Sequence, residues 1–168
     1  MIFTLIGMPA SGKSCMGKAI ASKLKMTLVD GDRLIEAKTG KLLQDIINEH
    51  GLEEFKKIEE DTLLSIEDDN IILAPGGSAV YYDSVMQKLK KKGKIIYIYV
   101  SLPLIKERLG DYSKRGVVLR PGQTIDDLYE ERTKLYEKYA DITINCNGHA
   151  YSKYRMKLIK KIKECLDT

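Results

Sequence analysis

The chain has 168 residues, of which 43% are hydrophobic and 31% charged, and its formal net charge is +4. These fractions exclude a disordered or fibrous chain and fit one globular domain spanning 1–168, large enough to bury its own core. No apolar stretch approaches the length of a membrane span, and the charge is too mild to argue for nucleic acid.

The first apolar run, Ile2-Phe3-Thr4-Leu5-Ile6, is β-prone and lacks the basic flank and cleavage site of a signal peptide, so it reads as a strand. It leads into Gly7-Met8-Pro9-Ala10-Ser11-Gly12-Lys13-Ser14, a complete G-x-x-x-x-G-K-[ST] phosphate loop. Helix-forming residues over 13–25 follow, with apolar positions spaced three and four apart. Such a loop wraps phosphates in backbone N–H groups and sets the positive end of a helix beneath them. Pro9, Ala10, Ser11, Gly12, Lys13, Ser14 and Cys15 are therefore expected to hold a nucleoside triphosphate, ATP. Lys13 would reach the β- and γ-phosphates, and the Ser14 hydroxyl would ligate Mg²⁺.

A second strand over 27–30 ends in Asp30-Gly31-Asp32, whose carboxylates are expected to share one side of the strand end. One could hold Mg²⁺ through its water shell while the other orients an attacking hydroxyl; the alternative is a cap for the next helix. Helical segments over 31–38, 41–49 and 52–67 form an insert, 31–67, larger than one crossover needs. A third strand over 70–74 runs into Pro75-Gly76-Gly77-Ser78, where glycines admit a close approach of backbone to ligand, or simply turn the chain. A helix over 79–92 precedes the nearly continuous apolar strand 94–100. After a helix over 102–109, the Gly- and Arg-bearing segment 110–122 is long enough to read as a lid. Arg108, Arg115 and Arg120 bracket it, and Arg132 lies in the next helix, 123–139. Planar guanidinium forks suit phosphate and acceptor clamps. A strand over 141–145 and a helix over 151–166 complete the chain.

This alternation predicts an α/β fold of three layers, with a five-stranded parallel sheet between helices and the ligand outside the carboxyl ends of the strands. Cys15, Cys146 and Cys165 form no C-x-x-C pair, which suggests free thiols in a reducing cytoplasm. His50 and His149 are isolated, which argues against zinc. The lysines at 88, 90, 91 and 92, and at 157, 160, 161 and 163, read as solvated helix faces.

Over nearly its whole length the chain resembles the shikimate kinase family of P-loop proteins. The matching residues are the phosphate loop, Asp30-x-Asp32 with Ile35-Glu36 and Gly40, Phe55-Lys56-x-x-Glu59, Ala74-Pro75-Gly76-Gly77, Arg115, and Arg132-x-x-Leu135-Tyr136 ahead of Ala140-Asp141. The resemblance implies strand order 2-3-1-4-5. It also implies that Asp30 assists Mg²⁺ and Asp32 takes the acceptor hydroxyl. Lys56 and Arg132 would grip a substrate carboxylate, Gly76 and Gly77 would face the ring, Arg115 would touch ATP phosphates and Arg108 would pack on adenine. The family pattern has Arg at the position of Lys56, a third Gly at Ser78, Glu at Leu52 and a different lid sequence.

The reading is an ATP- and Mg²⁺-dependent kinase for a small carboxylate-bearing alcohol, shikimate first, with catalysis by Lys13, Asp32 and Arg115. It is expected to act as a monomer without nucleic-acid or membrane partners. The alternatives are a kinase of the same fold for another hydroxy acid, sugar acid, amino-acid alcohol or nucleoside, and a non-catalytic nucleotide-binding regulator.

Overall fold

The computed structural model describes residues 1–110, 117 and 119–168. Its five strands are β1 (Ile2–Ile6), β2 (Thr27–Asp30), β3 (Ile71–Ala74), β4 (Gly93–Tyr99) and β5 (Ile142–Asn145). All pair in parallel in the order β2-β3-β1-β4-β5, with Ile2 opposite both Ile71 and Gly93. The expected sheet and its order are both present. Every residue of β1 and β3 is buried, which is why these strands carry no polar alternation.

Seven α-helices are described: α1 (Lys13–Leu24), α2 (Gly31–Thr39), α3 (Leu43–Leu64), α4 (Asp83–Lys92), α5 (Leu102–Leu109), α6 (Ile125–Tyr139) and α7 (Tyr151–Leu166). Alternate strand positions feed different layers. Phe3, Leu5 and Ile72 belong to a cluster with Ile20 of α1 and with Leu158 and Ile162 of α7. Ile2, Ile71 and Leu73 pack with Leu63 of α3 and with Val85 and Leu89 of α4. A third, small cluster of Ile35, Ile46 and Phe55 ties α2 to α3 within the insert. No described helix is long and apolar enough to cross a membrane.

Two expectations are adjusted. The helical pieces 41–49 and 52–67 are one element, α3, broken at Gly51, whose φ of 82° and ψ of 168° interrupt the helix. The expected helix over 79–92 splits into a 3₁₀ turn, Ala79–Tyr81, and α4, because Tyr82 is extended and serves as the N-cap of α4. Arg115 and most of the expected lid, 111–116 and 118, lie outside the described residues.

Candidate active site

The phosphate loop joins β1 to α1 at the carboxyl end of the sheet's central strand. Two of its turns need the left-handed region: Ala10 has φ 63°, and Gly12, the N-cap of α1, has φ 93°. A Cβ on Gly7 would lie 2.7 Å from the carbonyl oxygen of Ile98, so the loop also rests directly on β4. Lys13 Nζ donates to the carbonyls of Gly7 and Met8, at 2.7 Å each, and lies 3.4 Å from Ser11 Oγ. Burial pushes the Lys13 amine down to about 7, the Arg132 guanidinium pushes the same way and Asp32 opposes both. The two carbonyls accept hydrogen bonds, and the phosphates of a nucleotide would take over that task while restoring full charge.

Asp30 ends β2 and caps α2: its Oδ1 accepts from the backbone N–H of Asp32 at 3.0 Å and of Arg33 at 3.2 Å. The capping alternative is thus realised, through Oδ1. Asp32 belongs to the first turn of α2 and not to the strand end, so the two carboxylates do not follow strand alternation. Burial, and then the neighbouring carboxylates of Asp30, Glu59 and Glu36, push Asp32 up to about 6, with Lys13 opposing.

Gly76 and Gly77 are where the site comes together. A Cβ on Gly76 would lie 2.8 Å from Asp32 Oδ1 and 2.9 Å from Glu59 Oε2, and one on Gly77 would lie 2.8 Å from Arg132 Nη1. The paired glycines therefore make room for three charged side chains above the carboxyl end of β3. Neither glycine has a positive φ, so alanine fits the backbone and only the side chains would shift. Gly76→Ala should leave the melting temperature within about 5 °C of wild type. It should cut acceptor turnover about tenfold or more, because near-attack geometry tolerates little displacement. Steady-state kinetics together with calorimetry check this.

Arg132 occupies the apolar stripe of α6, in step with Ile125, Leu128, Tyr136 and Tyr139. It is only 8% exposed, its Nε has no partner, and its guanidinium lies 5.6 Å from the Tyr81 ring centre. The helix is fixed by a capping box, Thr124 with Asp127. A buried cation with spare donors is suited to an anionic ligand group.

Lys56 is not brought to this cluster. It lies on the exposed side of α3, with Nζ 3.2 Å from Glu53 Oε1. The buried charged residue of that segment is Glu59, which the sequence presents only as part of a motif. Its signal was legible: Phe55, Glu59, Thr62 and Leu63 form one buried stripe at helical spacing, with a carboxylate in it.

On the nucleotide side, Arg108 donates to the carbonyls of Ala10 and Gly148, at 3.3 Å each, and lies 5.5 Å from the Tyr151 ring centre. It ties the phosphate loop to the β5–α7 connection. Ser14 and Cys15 are exposed in the first turn of α1. Arg120 is paired with Glu131 at 2.6 Å. No group of three or more His, Cys, Asp or Glu residues that could hold a metal is present among the described residues. The oxygen donors of Ser14 and Asp30 nevertheless fit Mg²⁺ that arrives with phosphates and keeps most of its waters.

The model of the shikimate kinase family matches residues 9–163. A shikimate kinase of Sulfurihydrogenibium sp. is 33% identical over 160 residues, covering 95% of this chain and 96% of its own. One from Thermodesulfovibrio yellowstonii is 36% identical over 160 residues, covering 94% and 92%. Among solved structures, shikimate kinase from Acinetobacter baumannii in complex with shikimate superposes with a TM-score of 0.85 at 28% identity, covering 97% of this chain and 93% of that one. With this sheet order, a complete phosphate loop and a match along nearly the whole length, the chain belongs to the shikimate kinase family.

Proposed function

We propose that this chain transfers the γ-phosphoryl group of ATP to a hydroxyl of shikimate. The observation that carries the reading is the convergence of Asp32, Glu59 and Arg132 on Gly76 and Gly77. One side of the cluster offers carboxylates to a hydroxyl, and the other offers a buried cation to a carboxylate. Lys13 is close enough to Asp32 and Arg132 for their charges to bear on its proton, so the acceptor cluster adjoins the phosphate loop.

Asp32 would accept the proton of the reacting hydroxyl, and its raised proton affinity suits it to that task near neutral pH. Lys13 would leave the loop carbonyls for the phosphoryl oxygens, where its charge counts most as negative charge spreads in the transition state. Arg132 would hold the acceptor carboxylate and so fix which hydroxyl faces the phosphate. By resemblance to the family, Arg115 is assigned to the ATP phosphates. Ser14 and Asp30 would hold Mg²⁺, which would supply charge neutralisation on the phosphates. The enzyme is expected to work as a cytoplasmic monomer on small molecules.

A coupled ADP-release assay over shikimate, other hydroxy acids, sugar acids, amino-acid alcohols and nucleosides tests the acceptor. Shikimate should give the highest kcat/KM, and a larger value for another alcohol overturns the assignment. Asp32→Asn should lower kcat on shikimate about 10²-fold or more with ATP affinity unchanged, since it removes the acceptor of the proton but no phosphate contact. Asp30→Asn should instead raise the Mg²⁺ concentration needed for half-maximal rate. Equal effects of both on Mg²⁺ dependence would contradict that division.

A further inference from the structure

Glu59 is 2% exposed, and no cation pairs with it among the described residues. A carboxylate so placed is costly unless hydroxyl or amide donors replace its water. Two hydroxyls do: Ser78 Oγ donates to Glu59 Oε1 at 2.6 Å and Tyr82 OH donates to the same oxygen at 2.7 Å. Both donors converge on one oxygen. The other, Oε2, is left beside Asp32 Oδ1, the two lying 2.9 and 2.8 Å from the point where a Cβ of Gly76 would stand. The arrangement orients the carboxylate as well as satisfying it, because two fixed donors on Oε1 set the rotation of the whole group.

Ser78 and Tyr82 reach Glu59 from one short piece of chain. Ser78 precedes the 3₁₀ turn Ala79–Tyr81, and Tyr82 follows it. The turn is held by Tyr81 N–H to the carbonyl of Ser78 and by Tyr82 N–H to the carbonyl of Ala79, at 3.0 and 3.1 Å. The same turn carries Tyr81 against Arg132. Ser78 is also where the family pattern has a glycine, and its hydroxyl is directed at Glu59, so the added side chain does not crowd the acceptor space.

We propose that Ser78 and Tyr82 are positioning residues, which hold Glu59 through Oε1 so that Oε2 and Asp32 present a fixed pair of carboxylates to the hydroxyl-bearing acceptor. This rests on the acceptor site assigned above. Neither residue touches the reacting atoms; both act through Glu59. The hydroxyl at position 78 is this chain's own means of doing so.

The test is a set of variants in the whole enzyme: Ser78→Ala, Ser78→Thr, Tyr82→Phe, and Ser78→Ala/Tyr82→Phe, each also in a Glu59→Gln background. Hydrogen bonds to a charged group are worth enough that Ser78→Ala and Tyr82→Phe should each lower kcat/KM for shikimate about tenfold. The KM for ATP should stay at the wild-type value. Ser78→Thr keeps the hydroxyl and should restore most of the loss. In the Glu59→Gln background the further loss should shrink to under about twofold, as expected when both residues act through one partner. Undiminished losses in that background, or no loss from Ser78→Ala/Tyr82→Phe, overturn the proposal. A crystallographic comparison provides a readout independent of the acceptor. In the double variant the Glu59 carboxylate should turn away from Gly76, and an unmoved Glu59 overturns the proposal. A wild-type enzyme inert on shikimate overturns the acceptor assignment instead, and the position of Glu59 then decides the role of Ser78 and Tyr82.

Discussion

Lys13→Ala should abolish nearly all phosphoryl transfer and leave the chain folded. The lysine contributes little that the fold requires: its ammonium lies on the Gly7 and Met8 carbonyls of its own loop, and water can reach those oxygens once it is gone. What disappears is a positive charge beside the phosphates at the moment negative charge spreads over them. Preorganised groups of this kind typically supply about 10² to 10³ in rate, and their loss appears in kcat more than in binding. The expected result is therefore a fall in kcat of ~10²-fold or more, with a melting temperature within about 5 °C of wild type. Initial rates at saturating ATP and shikimate, with thermal unfolding of the same preparations, measure both. A variant that keeps a tenth of wild-type kcat would remove Lys13 from catalysis.

Arg132→Ala should raise the KM for shikimate at least tenfold, equivalent to about 1.4 kcal/mol, with the KM for ATP nearly unchanged. The residue is buried, its Nε has no partner, and Nη1 lies 2.8 Å from the point where a Cβ of Gly77 would stand. An anionic group arriving there gains charge-assisted hydrogen bonds from a buried guanidinium, and such bonds are strongest where burial lowers the local dielectric. Lys56 bears on the same prediction. With Lys56 paired to Glu53 on the exposed side of α3, Arg132 would be the principal holder of the carboxylate on the reading proposed above, so Lys56→Ala should cost less acceptor affinity than Arg132→Ala. Lys56→Arg adds a longer, planar fork to the helix that carries Glu59, and should leave shikimate kinetics equal or better. A normal acceptor KM in Arg132→Ala would refute the carboxylate clamp.

Where the site was legible in the chain, one local rule sufficed. The phosphate loop is contiguous, so the whole motif sits in residues 7–14 and its chemistry can be read without knowing the fold. Strands β1 and β4 announced themselves as apolar runs because the sheet buries them on both faces. Asp32 is helical and not at a strand end because Asp30 caps α2 so early that the next carboxylate already belongs to the helix. The helix over 79–92 was overextended for a related reason: nothing in the composition of Ala79-Val80-Tyr81-Tyr82 distinguishes a 3₁₀ turn from the start of an α-helix.

The acceptor cluster is a different matter. Asp32, Glu59, Gly76 and Arg132 come from α2, α3, the β3–α4 connection and α6, and no spacing in the chain relates them. Taken by itself, the sequence determined a nucleotide-binding α/β protein, because periodicity and the phosphate loop depend on neighbours along the chain. Only the tertiary structure decided that Glu59 meets Asp32 at the paired glycines, that Ser78 and Tyr82 hydrogen-bond its carboxylate, and that the two glycines are small to admit side chains. Those outcomes depend on which helix faces pack on the sheet and how closely, and packing is a relation between distant residues that the order of residues does not itself record.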